Sequence, residues 1–286
     1  MSELREAIAG LNMLPMAQRA NRLIELVGSA DVDQITGDLR DQVVDQVLAV
    51  INDNAGTGRE RLELGEILGR LGDPRMVLPN DPAYFAAVQS EHGPISMGRF
   101  PVTNFEYNVF VQAGGYDDQS LWTDEGWAWL QQCPDPWHVR AQAEVSRPFV
   151  VANQPVVGVT FFEALAYANF HKVRLPRRDE RMWVMRGPER RPYPWGSPFG
   201  EGNANTLEEV LGRPCAVGLF IHDRTPEGVC DLAGNVAEWT MDGVGCEKVF
   251  HPGAWDQPSL ASWAKAIESE APDARWAGLG FRLARD

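Results

Sequence analysis

Basic residues are scarce in this chain. Lys and Arg number 26 against 40 Asp and Glu, a net charge of −14 over 286 residues. A phosphate backbone would be repelled, which excludes general nucleic-acid binding. No apolar run is long enough to cross a bilayer, and MSELREAIAGLNML places Glu3 and Glu6 where a secretory leader is basic. The expectation is a cytoplasmic protein with no membrane insertion. Cys133, Cys215, Cys230 and Cys246 show no CxxC spacing, so reduced structural thiols are expected and zinc is not. Residues 1–75 hold no histidine, and His92, His138, His171, His222 and His251 show neither HxxxH nor HxH spacing.

Tryptophan, by contrast, is abundant, with 10 in all. Each needs burial and an acceptor for its indole N–H, which suits a rigid, loop-rich domain or an aromatic binding surface. Residues 1–75 read as helices. Ala20, Leu23, Ile24 and Val27 form one apolar stripe, and Val43, Val44, Val47, Leu48 and Ile51 a second. A third helix starts at a Thr57/Glu60 capping-box pattern and ends at Gly72-Asp73-Pro74. Such stripes serve either as the core of a small bundle or as a docking face for a protein partner.

From residue 76 to 286 the pattern changes to short apolar runs between Gly and Pro, with helices near Asn104–Gln112 and Phe161–His171. That is an irregular α+β domain of short strands and long loops. Within LWTDEGWAWLQQCPDPW, the tryptophans Trp122, Trp127, Trp129 and Trp137 either pack an insertion onto the domain or line a groove. Arg174, Arg177, Arg178, Arg181, Arg186, Arg190 and Arg191 make a locally basic region, read as ion pairs or as an interface for an acidic partner.

Eight segments in register carry a family resemblance: MGRFPVTNFEYNVFVQAGGY (97–116), QPVVGVTFFEALAYANF (154–170), RLP (174–176) ending in RG (186–187), YPWG (193–196), NAN (203–205), DLAGNVAEW (231–239), PGAW (252–255) and GLGFRLA (278–284). Together they resemble the formylglycine-generating-enzyme (sulfatase-modifying factor) domain, which implies a C-type-lectin-like fold over roughly residues 90–286. The resemblance further implies calcium at the DLAGNVAEW loop, with Asp231 and Glu238 giving side-chain oxygens and Gly234 and Val236 backbone carbonyls. Calcium takes six to eight hard oxygen ligands, and a Gly-containing turn can aim carbonyls inward. A metal-free turn capped by Glu238 is the alternative.

Family members that oxidise cysteine use a copper-binding cysteine pair after PGAW. Here those positions hold Gln257 and Ser262, which cannot form a copper thiolate. Another branch uses iron held by three histidines, for which no spacing exists here. No copper or iron is therefore expected, and the resemblance implies a non-enzymatic binding module. PGAW and GLGFRLA fit the family while the stretch between them departs from it, a combination that resembles the variable proteins of diversity-generating retroelements. The expected recognition surface comprises Asp256, Gln257, Ser259, Trp263, Lys265, Ile267, Glu268, Glu270 and Trp276, aromatic anchors with a polar rim, facing a protein or glycan ligand. The alternatives are a metal- or oxygen-dependent oxidoreductase of the same fold, or a regulatory subunit acting through the N-terminal helices.

Overall fold

A computed structural model describes residues 2–28, 30–91 and 93–286, with only the backbone of Asp33. Four helices open the chain: α1 (Ser2–Gly10), α2 (Met16–Gly28), α3 (Gly37–Asn52) and α4 (Gly58–Leu71). The capping box at Thr57 is formed, with the Glu60 carboxylate accepting from Thr57 N at 2.7 Å, and Gly72 ends α4 at φ 89°. The stripes are used as core. Leu23, Val27, Val43, Val47, Ile51, Leu64 and Leu68 are buried together, and Leu211, Cys215, Leu219 and Phe220 from the far end of the chain join them. The helical segment therefore shares one core with the segment 211–221. Gly65 allows the close approach, since a Cβ there would stand 2.8 Å from the Ala216 methyl.

The α+β part runs β1 (Phe85–Ser90), β2 (Gly93–Gly98), α5 (Asn104–Gln112), α6 (Asp124–Gln132), α7 (Trp137–Arg140), α8 (Phe161–Phe170), α9 (Arg178–Arg186), β3 (Ala237–Val244), β4 (Glu247–His251), β5 (Glu268–Glu270), β6 (Leu279–Phe281) and β7 (Ala284–Arg285). One sheet is ordered β1-β2-β7 and the other β5-β4-β3-β6, with β3 and β6 parallel and the remaining pairs antiparallel. Helices α5 and α8 sit where the sequence places them. Helices α6, α7 and α9 are findings of the structure, because the sequence pattern reads as loop there.

The aromatic count is explained by the main core. Tyr107, Phe110, Tyr167, Trp239 and Phe281 are fully buried, and the Tyr107 ring lies 4.8 Å from Trp137. Trp122 donates to the Gly115 carbonyl at 2.9 Å and stacks on Trp129, which in turn meets Phe162. Packing of the insertion is thus the outcome for these tryptophans, Trp137 included, which is buried in the main core and also borders the cleft described below. No helix among the described residues is long and apolar enough to cross a membrane.

Candidate functional site

The loop DLAGNVAEW is buried and densely hydrogen-bonded. Asp231 and Asn235 take left-handed backbone angles, φ 56° and 72°, which short side chains with local hydrogen bonds tolerate. Asp223 reaches across the loop. Its Oδ1 accepts from Leu232 N and Ala233 N, and its Oδ2 from Ala233 N and Gly234 N, each at 3.0 Å. The Asp231 carboxylate accepts from Gly218 N at 2.7 Å. Burial pushes the Asp223 carboxyl up to about 7 and that of Asp231 to about 6. Gly234 abuts the Asn205 backbone, where a Cβ would stand 2.6 Å from the carbonyl oxygen. Gly234→Ala is expected to cost about 1–3 kcal/mol in urea unfolding, because rigid backbone must move to admit the methyl.

Glu238 faces guanidinium groups, and this corrects the calcium assignment. Arg181 Nε donates to Glu238 Oε2 at 2.5 Å, and Arg282 Nη2 donates to Oε1 at 2.7 Å. All three side chains are buried. Burial opposes the charge on Glu238, but Arg181 and Arg282 hold its carboxyl below the ordinary range. A divalent ion at Glu238 would sit against two fixed cations, with Asp231 already bound to a backbone amide. The set Asp231, Gly234, Val236 and Glu238 does not fit calcium. The sequence marks Arg181 only as one of a basic cluster read as ion pairs or an interface, and gives no sign of its partner Glu238.

Of the other six arginines in this region, three are in ion pairs. Arg174 bridges Glu180 and Asp286, Arg178 meets Asp179, and Arg191 approaches Glu189.

The expected recognition residues do not form one face. Trp263, Lys265 and Ile267 are exposed beside α9 and β4, with Lys265 Nζ 5.8 Å from the Trp263 ring centroid. Glu268 and Glu270 lie on β5, the outermost strand of its sheet. Gln257 and Ser259 turn toward residues 207–209, where the Gln257 carbonyl accepts from Leu207 N and Ser259 N donates to Glu208, while the Asp256 carboxylate lies against Gly278. Trp276 turns inward onto Phe250, ring centroids 5.3 Å apart.

Trp276 instead helps to wall a cleft of about 220 Å³ with Trp137, Phe149, Val157 and Gly158, and Arg140 lies in the same wall. The indole of Trp137 is fixed by donation to the Val157 carbonyl at 3.0 Å. Arg140 donates through Nε to the Asp135 carbonyl at 3.0 Å and through Nη2 to that of Gly158. Among the described residues no carboxylate pairs with Arg140. The cleft joins the tryptophan-rich insertion to the C-terminal segment, two stretches that sequence reading kept apart. Phe149 and Arg140 carried no signal there.

A three-histidine iron centre does not fit the described residues. His138 packs on Tyr116 and His171 on Tyr167, while His251 bonds the Trp263 carbonyl at 3.0 Å. His92 lies outside the described residues. Among the described residues, no group of three or more His, Cys, Asp or Glu is placed to hold a metal.

Comparison with known proteins supplies the family. Residues 65–286 match the family described as the Sulfatase-modifying factor enzyme 1-like domain. The chain is 32% identical to a hercynine oxygenase of Mycolicibacterium thermoresistibile, over 76% of this chain and 55% of that protein. It is also 32% identical to a hercynine oxygenase of Mycolicibacterium smegmatis, over 59% of this chain and 41% of that protein. The chain thus spans about half the length of these relatives. The fold resembles the solved structure of PvdO from Pseudomonas aeruginosa, with TM-score 0.50 and 22% identity over 68% of this chain and 81% of the other. An α+β, C-type-lectin-like fold of this family type is the result. The relatives, named as oxygenases, overturn the expectation of a non-enzyme: neither Gln257 and Ser262 at the cysteine positions nor the absence of a three-histidine spacing excludes catalysis.

Proposed function

The chain belongs to the sulfatase-modifying factor enzyme 1-like family, and from that premise we propose that it binds a small betaine substrate for an oxygenase-type reaction. The observation that carries this reading is the cleft of Trp137, Phe149 and Trp276 beside a guanidinium with no carboxylate partner among the described residues. Aromatic faces attract a quaternary ammonium, and they do so most strongly when water is excluded. Arg140 offers a complementary charge for the carboxylate at the other end of a betaine. The residues of this chain bind and orient the substrate; no redox step is assigned to them.

Hercynine is the first ligand to test, with histidine as the control that lacks the trimethylammonium group. Calorimetric titration is expected to show hercynine binding at least about tenfold tighter than histidine. Trp276→Ala should remove most of that difference while the far-ultraviolet circular dichroism is retained. Equal binding of the two ligands, or none, would overturn the proposal.

A second reading, separate from the first, keeps Trp263, Lys265 and Ile267 as a displayed protein- or glycan-binding surface. Trp263 and Ile267 are 44% and 46% exposed, which supports a role outside the core.

A further inference from the structure

The cluster at Glu238 holds one carboxylate between two buried guanidinium groups, and Arg181 has the smaller share of it. Arg282 donates three hydrogen bonds to Glu238 and three more to the carbonyls of Gly98, Cys230 and Asp231. Arg181 gives one to Glu238 and one, through Nη2, to the Leu232 carbonyl. Its Nη1 is buried and has no partner. Asp223 and Asp231 lie nearby, but backbone amides of the loop take Oδ1 and Oδ2 of Asp223, and Gly218 N takes Oδ2 of Asp231. A buried cation whose N–H is left over is costly, and a small anion relieves both deficits at once.

Arg181 lines a cavity of about 150 Å³ between α9, β4 and the segment 264–267. Lys265 stands in its wall, as does Arg178. His251, also in the wall, is kept neutral by burial and by Arg181, and both its ring nitrogens are taken, by the Trp263 carbonyl and by Gly253 N, so it adds neither charge nor a free hydrogen bond. Asp179 is the one carboxylate among the lining residues, and it is paired with Arg178. Met182, Phe250, Ala264, Ala266 and Ile267 make most of the remaining wall apolar, and the Thr240 hydroxyl beside them is spent on the Val249 carbonyl.

We propose that this cavity is a binding site for a short organic carboxylate, held by Lys265 at its exposed side and by the charge of Arg181 in its inner wall, with its hydrocarbon tail against Met182, Phe250 and Ile267. The apolar walls distinguish such a ligand from a tetrahedral oxyanion, which would leave some of its oxygens facing hydrocarbon. The site is separate from the aromatic cleft and does not depend on the betaine reading.

The test titrates the full chain with sodium butyrate and, in parallel, with sodium phosphate at constant ionic strength. Saturable binding of butyrate is expected, weakened at least about tenfold by Lys265→Glu, where attraction becomes repulsion. Ile267→Ala should weaken it about threefold by removing tail contacts. Lys265 and Ile267 are exposed, so neither change threatens the fold. Phosphate binding as tightly as butyrate would overturn the organic ligand. No saturation below about 0.1 M butyrate, or no effect of Lys265→Glu, would overturn the site.

Discussion

Glu238→Ala is expected to be the most damaging single substitution in the chain. It leaves Arg181 and Arg282, 1% and 0% exposed, without the carboxylate that both contact. Removing one partner from a buried ion pair costs about 3–5 kcal/mol, since the charge left behind stays desolvated. Here two charges are left behind, in a protein class whose whole stability is about 5–15 kcal/mol. Equilibrium unfolding in urea should show a loss of at least that size, or no cooperative transition. Arg282 also ties Gly98 on β2 to Cys230 and Asp231 in the loop, so both sheets should loosen together. The same experiment judges the cation. With Glu238 committed to arginine, millimolar calcium should leave the melting temperature of the unaltered chain unchanged, because a ligand that does not bind the folded state cannot stabilise it. A calcium-dependent rise that disappears in Glu238→Ala would restore the metal assignment.

How far the sequence could be read follows from the same residues. Local signals were legible. Thr57/Glu60 and the helices at Asn104 and Phe161 begin at side chains that cap their own backbone, and such contacts lie within four positions of each other. Long-range pairings were not. Glu238 looks like a metal ligand when only its loop is read, because its arginines are 57 and 44 positions away. The aromatic cleft was hidden for the same reason, with Trp137 and Phe149 brought to Trp276 by the fold. Helix α9 escaped because RDERMWVMR has a polar composition, and its buried face includes an arginine. The nine expected recognition residues were grouped by adjacency along the chain, whereas a strand, a turn and an inward-facing indole divide them in space.

Two further capping boxes make a contrast that sequence alone cannot draw. At Thr160, Glu163 is satisfied at both oxygens: Oε2 accepts from Thr160 N at 2.8 Å, and Oε1 from Tyr116 Oη at 2.7 Å and Trp137 N at 2.8 Å. At Thr103, Glu106 Oε2 accepts from Thr103 N at 2.9 Å and Oγ1 at 2.6 Å, but Oε1 is buried with no partner. Burial pushes the Glu106 carboxyl up to about 7 from 4.5, the hydrogen bonds from Thr103 and the neighbouring Tyr84 hydroxyl restraining it only in part. Since the folded value lies above the unfolded one, the group stabilises the fold most below pH 4.5, and that contribution is lost as pH rises through about 7.

Glu106→Gln should therefore stabilise the protein at pH 8. The amide carbonyl keeps both Thr103 bonds and carries no charge to desolvate. Its NH₂ group would take the place of the orphaned oxygen, in a cavity that Tyr84 also lines with an unpartnered hydroxyl. A rise of about 2.5 units corresponds to about 3 kcal/mol of relief at pH 8, shrinking toward zero near pH 4.5. Glu163→Gln should do the reverse. Its amide would turn N–H groups toward the donors at Tyr116 and Trp137, with a loss of about 1–3 kcal/mol at pH 8. Urea unfolding of both variants at pH 5 and pH 8 measures the pair. If Glu106→Gln destabilises equally at both values, the carboxyl is ionised and solvated in the folded protein, and the buried-acid account of this helix cap is wrong.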